Sequence, residues 1–152
     1  MSVVIRPIEL KDKEAWTKLW CDPEQSYLEF YKGLDKVTKE ATENTFSRFL
    51  DPNIASYAAV AEVNGELIGF VTYLTHIYTW SEQDKTYLGD LYVSPNSRLG
   101  GVGRKLIEYV YGEADKLNCP NVYWSTQFEN HRAQLLYTKV GVKSGFLLYR
   151  RP

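Results

Sequence analysis

The chain has 152 residues, 44% hydrophobic and 24% charged, which suits one globular domain with one sizeable core. Its net charge of −1 gives no basic field to recruit nucleic acid, and no apolar run approaches the roughly 20 residues of a membrane helix. The two cysteines, Cys21 and Cys119, lack metal-ligand spacing and are expected as free thiols in a reducing compartment, so the cytoplasm or nucleus is the expected location.

In chain order, the opening MSVVIRPIEL turns polar too soon for a secretory leader. Residues 3–8 read as a short strand, with Pro7 suited to an edge or an end. Asp12 is placed to cap a helix whose Ala15, Trp16, Leu19 and Trp20 form an apolar stripe, and Asp22-Pro23 breaks it. A second helical pattern covers 26–32 and ends at Gly33. A third runs over about 38–50 with Ala41, Thr45, Phe46, Phe49 and Leu50 in register, stopping at Asp51-Pro52. Residues 57–63 and 66–75 flank Asn64-Gly65, the preferred pair for a type I′ hairpin. After a polar and aromatic connection, 86–93 is a buried strand, making three consecutive antiparallel strands.

Ser94-Pro95-Asn96-Ser97 stops that strand. Arg98-Leu99-Gly100-Gly101-Val102-Gly103 then leads into a helix with Leu106, Ile107, Val110, Ala114 and Leu117 on one face. Strand, glycine-rich loop and helix start make a phosphate site, because first-turn N–H groups lack intrahelical partners and lie at the positive end of the helix dipole. The loop continues Arg104-Lys105-Leu106, so it has neither the Lys-Ser/Thr of a P-loop nor the final glycine of a dinucleotide fingerprint. A turn at 118–120 leads to a short strand at 122–126, parallel to its predecessor because a helix separates them. A last helix at 130–140 carries Ala133, Leu136, Tyr137 and Val140 on one side, Gly141 ends it, and 145–150 reads as a terminal strand. The order predicts an α+β fold with a mixed, mainly antiparallel sheet. There is no internal repeat or linker.

Two motifs carry a resemblance that spans nearly the whole chain. Arg98, Gly101 and Gly103 form Arg-x-x-Gly-x-Gly after Leu91-Tyr92-Val93. Downstream stands Asn130-x-x-Ala133-x-x-Leu136-Tyr137-x-Lys139-x-Gly141. Together they resemble the signatures of the GNAT superfamily of acyl-CoA-dependent N-acyltransferases, with Val142 in place of the usual aromatic. Within it, FLDPN at 49–53, EADKL at 113–117 and NHRAQLLY at 130–137 look like the fungal histone and polyamine acetyltransferases.

The resemblance implies acetyl-CoA as cosubstrate and no metal. Leu91, Tyr92 and Val93 would meet pantetheine through their backbone, one N–H polarising the thioester carbonyl. Arg98, Leu99, Gly100, Gly101, Val102, Gly103 and Arg104 would hold the pyrophosphate, with Asn130, Ala133 and Tyr137 completing the cofactor side. It also implies a bulge in the glycine-loop strand, and the interior Gly89 agrees. Asp90 is the candidate base for the acceptor ammonium; it could equally be an exposed polar residue or merely attract a cation, and many relatives place the acid one residue earlier. Tyr137 is the candidate acid for the leaving thiolate, seven residues from Asn130 and so on the same side of the helix. Cys119 has no partner base nearby, so direct attack in a ternary complex is expected.

On the acceptor side, Tyr27, Glu29, Tyr31 and Trp80, with Trp20, combine rings and a carboxylate, which suits a cation. His76 and His131 have no ligand spacing, though His131-Arg132 could touch the cofactor phosphates. Polyamines, basic histone-like peptides and free D- or L-amino acids all stay open as acceptors. Another small amine, or a non-catalytic acyl-CoA-binding module, are the rival readings. Neither nucleic acid nor membrane is expected as a partner. A homodimer or larger homo-oligomer through the C-terminal strand is plausible from the fungal group.

Overall fold

A computed structural model describes residues 2–97 and 99–152. Among them a five-stranded sheet runs in the order β1 (Val4–Pro7), β2 (Ser56–Val63), β3 (Glu66–His76), β4 (Lys85–Val93) and β5 (Val122–Tyr123). The first three pairings are antiparallel and β4–β5 is parallel, as the intervening helix requires. Asn64 and Gly65 both take positive φ (50° and 81°), the type I′ geometry that closes the β2–β3 hairpin.

Alternation along the strands sorts the core into two layers. Ala58, Val60, Phe70 and Tyr92 face Trp16 and Trp20 of α1 (Lys13–Cys21), Leu28 of α2 (Tyr27–Phe30) and Phe46 of α3 (Lys39–Leu50). Ala59, Ala61, Val71, Tyr73 and Leu88 face Val102, Leu106, Ile107 and Val110 of α4 (Val102–Lys116). Leu136, Tyr137 and Val140 of α5 (His131–Val140) pack at the margin of that second layer. The result is helices on both faces of a mixed sheet, the expected α+β class. Trp20 belongs to the core, where its indole N–H donates to Thr42 at 3.2 Å, and not to the acceptor side.

Three expectations change. Residues 145–150 form no strand, and Phe146, Leu147, Leu148 and Tyr149 stand exposed. The strand at 122–126 shrinks to Val122–Tyr123, which leaves little edge for a terminal strand of the same chain to join. Asp12 precedes α1 but makes no side-chain cap. Its carboxylate instead takes both ends of the Arg6 guanidinium at 2.8 Å and accepts from the Glu9 N–H at 2.8 Å. Arg6 also donates to Glu62 at 3.0 Å, tying β1, β2 and the start of α1 together. No helix among the described residues is long and apolar enough to cross a membrane.

The Arg6 hydrogen bonds hold the Asp12 carboxyl below its ordinary pKa, against the opposing effect of burial. A depressed carboxyl stabilises the fold above its unfolded pKa of about 3.9 and ceases to as pH falls through the lower folded value. Asp12→Asn is therefore expected to cost roughly 3 kcal/mol in urea unfolding near pH 7. The gap between variant and parent should close as the pH drops below about 4.

Candidate active site

The site starts from one irregularity in β4. Thr72 pairs with Asp90 and Tyr73 with Leu88, so Gly89 is the extra residue of a β-bulge. A Cβ at Gly89 would lie 3.3 Å from Thr72 Oγ1, tighter than most side-chain contacts. Thr72 Oγ1 donates to Asp90 Oδ2 at 2.5 Å and so fixes the carboxylate across the bulge.

Beyond the bulge the sheet opens. β4 meets β5 only at Thr86↔Val122 and Tyr87↔Tyr123, so the edge of β4 from Leu88 to Val93 has no β5 neighbour. The backbone of Leu91, Tyr92 and Val93 therefore borders a slot on one side while pairing with β3 on the other. The side chain of Tyr92 goes into the core, leaving only its main chain for the slot.

At the end of the slot α4 begins. Gly101 caps it with φ 77°, a left-handed conformation that strains any residue with a Cβ, and no acidic side chain lies in the first turn. A Cβ on Gly103 would come within 3.2 Å of Leu136 Cδ2, so glycine lets α4 start against α5. The amides of Val102, Gly103 and Arg104 thus open a helix whose positive end has no built-in counter-charge, the condition for an external anion. Leu99 packs against the core beneath, Gly100 has open space around it, and Arg104 reaches Glu108 at 3.5 Å. Asn96 Nδ2 donates to Gln25 Oε1 at 3.1 Å, joining this loop to the segment before α2. Arg98 lies outside the described residues.

Opposite the loop, Asn130 caps α5, accepting from the Ala133 N–H at 3.2 Å. Its Nδ2 reaches Tyr31 Oη at 3.5 Å and bridges α5 to the segment after α2. Tyr137 lies edge-on to Trp124 at 5.5 Å, and burial first, with Tyr31 nearby, pushes its phenol up to about 12. Burial also raises Tyr27, beside the Asp90 carboxylate, and Tyr31, where the Asn130 bond partly opposes the rise. The result is one carboxylate, Asp90, and three phenols that stay protonated at neutral pH.

Other expected residues lie elsewhere. Trp80 is 83% exposed and stacks on Tyr78; Tyr92, in the core, is raised by burial first and then by the nearby Glu29 charge. His76 pairs with Tyr123 Oη at 2.7 Å. No group of three or more His, Cys, Asp or Glu among the described residues could hold a metal ion. Cys119 is buried in its turn, its thiol donating to the Leu117 carbonyl at 3.3 Å.

A cleft of about 320 Å³ adjoins Asp90, lined by Thr45, Phe49, Ser56, Thr72, Leu74 and Tyr87 among others. None of these was marked by a motif. The available signal was strand alternation, which puts Phe70, Thr72 and Leu74 on one face, with Leu74 beyond the core.

The profile described as "Acetyltransferase (GNAT) family" matches residues 11–142. A D-amino-acid N-acetyltransferase of Saccharomyces cerevisiae is 46% identical, over 98% of this chain and 90% of its own. Among solved structures, a transcriptional regulator from Bacillus halodurans superposes with TM-score 0.82 at 17% identity, covering 99% of both chains. An aminoglycoside N-acetyltransferase in complex with CoA gives 0.77 at 19% identity, covering 99% of this chain and 95% of the other.

Asn130 joins the cap of α5 to Tyr31, so Asn130→Ala is expected to lower stability by about 1 kcal/mol. Asn130→Asp, which keeps an acceptor for the Ala133 N–H, should recover most of it, as read by urea unfolding.

Proposed function

The chain belongs to the acetyltransferase (GNAT) family and is an acetyl-CoA-dependent N-acetyltransferase; from that premise we propose that it acetylates the α-amine of a free amino acid, of the D series as in the name of its yeast relative. The observation that carries this reading is the 46% identity to that relative over 98% of the chain. The site agrees in charge: Asp90 is the one carboxylate among Tyr27, Tyr31, Thr72, Asn130 and Tyr137. The cleft volume of about 320 Å³ is at the small end of the range for small-molecule sites.

Acetyl-CoA supplies a thioester, whose acyl carbon is electrophilic and whose thiolate can leave. In this reading the open edge of β4 at Leu91, Tyr92 and Val93 binds pantetheine, with one N–H turned to the thioester oxygen. The loop from Arg98 through Leu99, Gly100, Gly101, Val102, Gly103 and Arg104 binds the pyrophosphate, and Asn130 and Ala133 border the cofactor from α5. Asp90, held by Thr72 and neighboured by Tyr27, takes the proton from the acceptor ammonium directly or through water. The freed amine forms the C–N bond as the C–S bond breaks, the electron pair leaves on sulfur, and the second amine proton passes from nitrogen to the departing thiolate, directly or through water, giving the amide and the CoA thiol. Tyr137 donates a hydrogen bond to that sulfur. Complete proton transfer from a phenol near 12 to a thiolate of ordinary basicity, about 8.5, is uphill, so the phenol acts chiefly by stabilising the charge. A cytoplasmic or nuclear location belongs to the same reading. So does a homodimer or larger assembly in which the exposed 145–150 tail of one copy pairs with another.

Thiol release from acetyl-CoA, followed against D- and L-amino acids, spermine and a histone-tail peptide, tests the acceptor. Turnover confined to spermine or the peptide would overturn it. Tyr137→Phe is expected to lower kcat by about 100-fold with acetyl-CoA affinity little changed. Because Tyr137 keeps its proton, the rate should rise with pH as the acceptor deprotonates and show no alkaline limb below about pH 11. Deleting residues 145–152 should yield monomers in light scattering.

A further inference from the structure

Behind the acceptor cleft lies a second cavity of about 210 Å³, and two side chains, Phe49 and Tyr73, line both spaces. Phe49 comes from the last turn of α3 and is half-buried, its ring edge-on to Trp16 at 5.6 Å. Tyr73 comes from β3, is buried, and stacks on Tyr57 at 5.2 Å. The two stand as a partition, one ring from each side of the sheet margin.

The space behind is chemically unlike the wall in front of it. Besides the two shared residues it is lined by Pro7, Ile8, Tyr57, Ala58, Tyr109 and Glu113, an apolar and aromatic wall with one acidic residue. Tyr109 Oη donates to Glu113 Oε1 at 3.1 Å, and Lys116 Nζ reaches Glu113 Oε2 at 3.0 Å. The Lys116 side chain is almost wholly exposed, so its pairing with Glu113 is weak and replaceable. Rings around a carboxylate suit an ammonium group on an apolar stem. Asp90 lines the first space, and Phe49 and Tyr73 are the residues common to both, so they stand between a ligand anchored at Asp90 and the second space.

We propose that Phe49, with Tyr73, is the partition that sets how long an acceptor side chain the enzyme admits, and that the cavity behind it is a subsite for the cationic end of a long side chain, with Glu113 as counter-charge. This rests on the amino-acid reading of the acceptor. Tyr73 is held in the core by its stack on Tyr57, which leaves Phe49 as the member that can be changed without removing a strand residue.

The test compares kcat/KM for D-alanine, D-norleucine and D-lysine in the parent, Phe49→Ala, Phe49→Leu and Phe49→Ala/Glu113→Gln. Removing the ring should raise the D-lysine to D-alanine ratio about tenfold, the range that one or two buried methylenes command. D-norleucine should gain less. The double variant should lose the extra gain for D-lysine and keep that for D-norleucine, a pattern general destabilisation does not produce. Phe49→Leu, which retains an apolar contact with Trp16, should show a smaller shift of the same sign and covers the case in which the alanine variant does not fold. Parent turnover with unchanged ratios in the folded variants overturns the partition alone. So does a D-lysine gain that survives Glu113→Gln. A parent enzyme that acetylates no amino acid overturns the acceptor reading and the partition with it.

Discussion

The site depends on the way β4 leaves the sheet. A strand paired on both sides through its whole length has no main-chain groups left for a ligand. Here one extra residue, Gly89, interrupts the register with β3 while β5 stops after two residues. Those two features leave the β4 edge from Leu88 to Val93 open toward α5 and the start of α4. They also put Asp90 opposite Thr72, where a hydroxyl can hold it. In the proposed reading, cofactor side and acceptor side are two consequences of one local departure from regular pairing.

The surrounding structure serves to keep that departure in place. The two core layers clamp the sheet from both faces, so the irregular register of β4 is held by a well-packed frame. α4 is oriented by Leu106, Ile107 and Val110, all fully buried, which aims its amino end at the slot. α5 is held more lightly, with no fully buried residue, and relies on the Asn130 cap, its bridge to Tyr31 and the Trp124–Tyr137 contact. The Tyr137 phenol, the proposed acid side, therefore sits on a helix with no fully buried residue. That arrangement tolerates the entry and exit of a large cosubstrate. Tyr31 lies near both Asp90 and Tyr137 and meets Asn130 at 3.5 Å.

Much of the frame was readable in advance. The Asn64-Gly65 hairpin and the helical stripes of α1, α3 and α4 follow from local periodicity and turn chemistry, which act within a few residues, and the parallel return to β5 from the helix between the strands; the bulge at Gly89 was implied by the family resemblance, with which an interior glycine agreed. The end of the chain did not follow. The apolar pattern of 145–150 marks a segment able to pair, but pairing needs a free edge, and the short β5 gives it little within the same chain. Asp12 fitted a cap by position and was taken instead by Arg6, because a guanidinium offers two charged donors where a helix start offers single amides.

What the sequence alone determined is therefore the order of elements and the two motifs that flank the slot, since helix faces, turns and a glycine-rich helix start are encoded by neighbours in the chain. The cleft beside Asp90, proposed here as the acceptor side, was decided by the tertiary structure. Thr72, Phe49, Leu74 and Tyr87 come from α3, β3 and β4 and meet only when the strands pair and α3 packs across them. Trp80 has suitable chemistry but stands exposed against Tyr78, because side-chain type fixes what a residue can do and packing fixes where it does it.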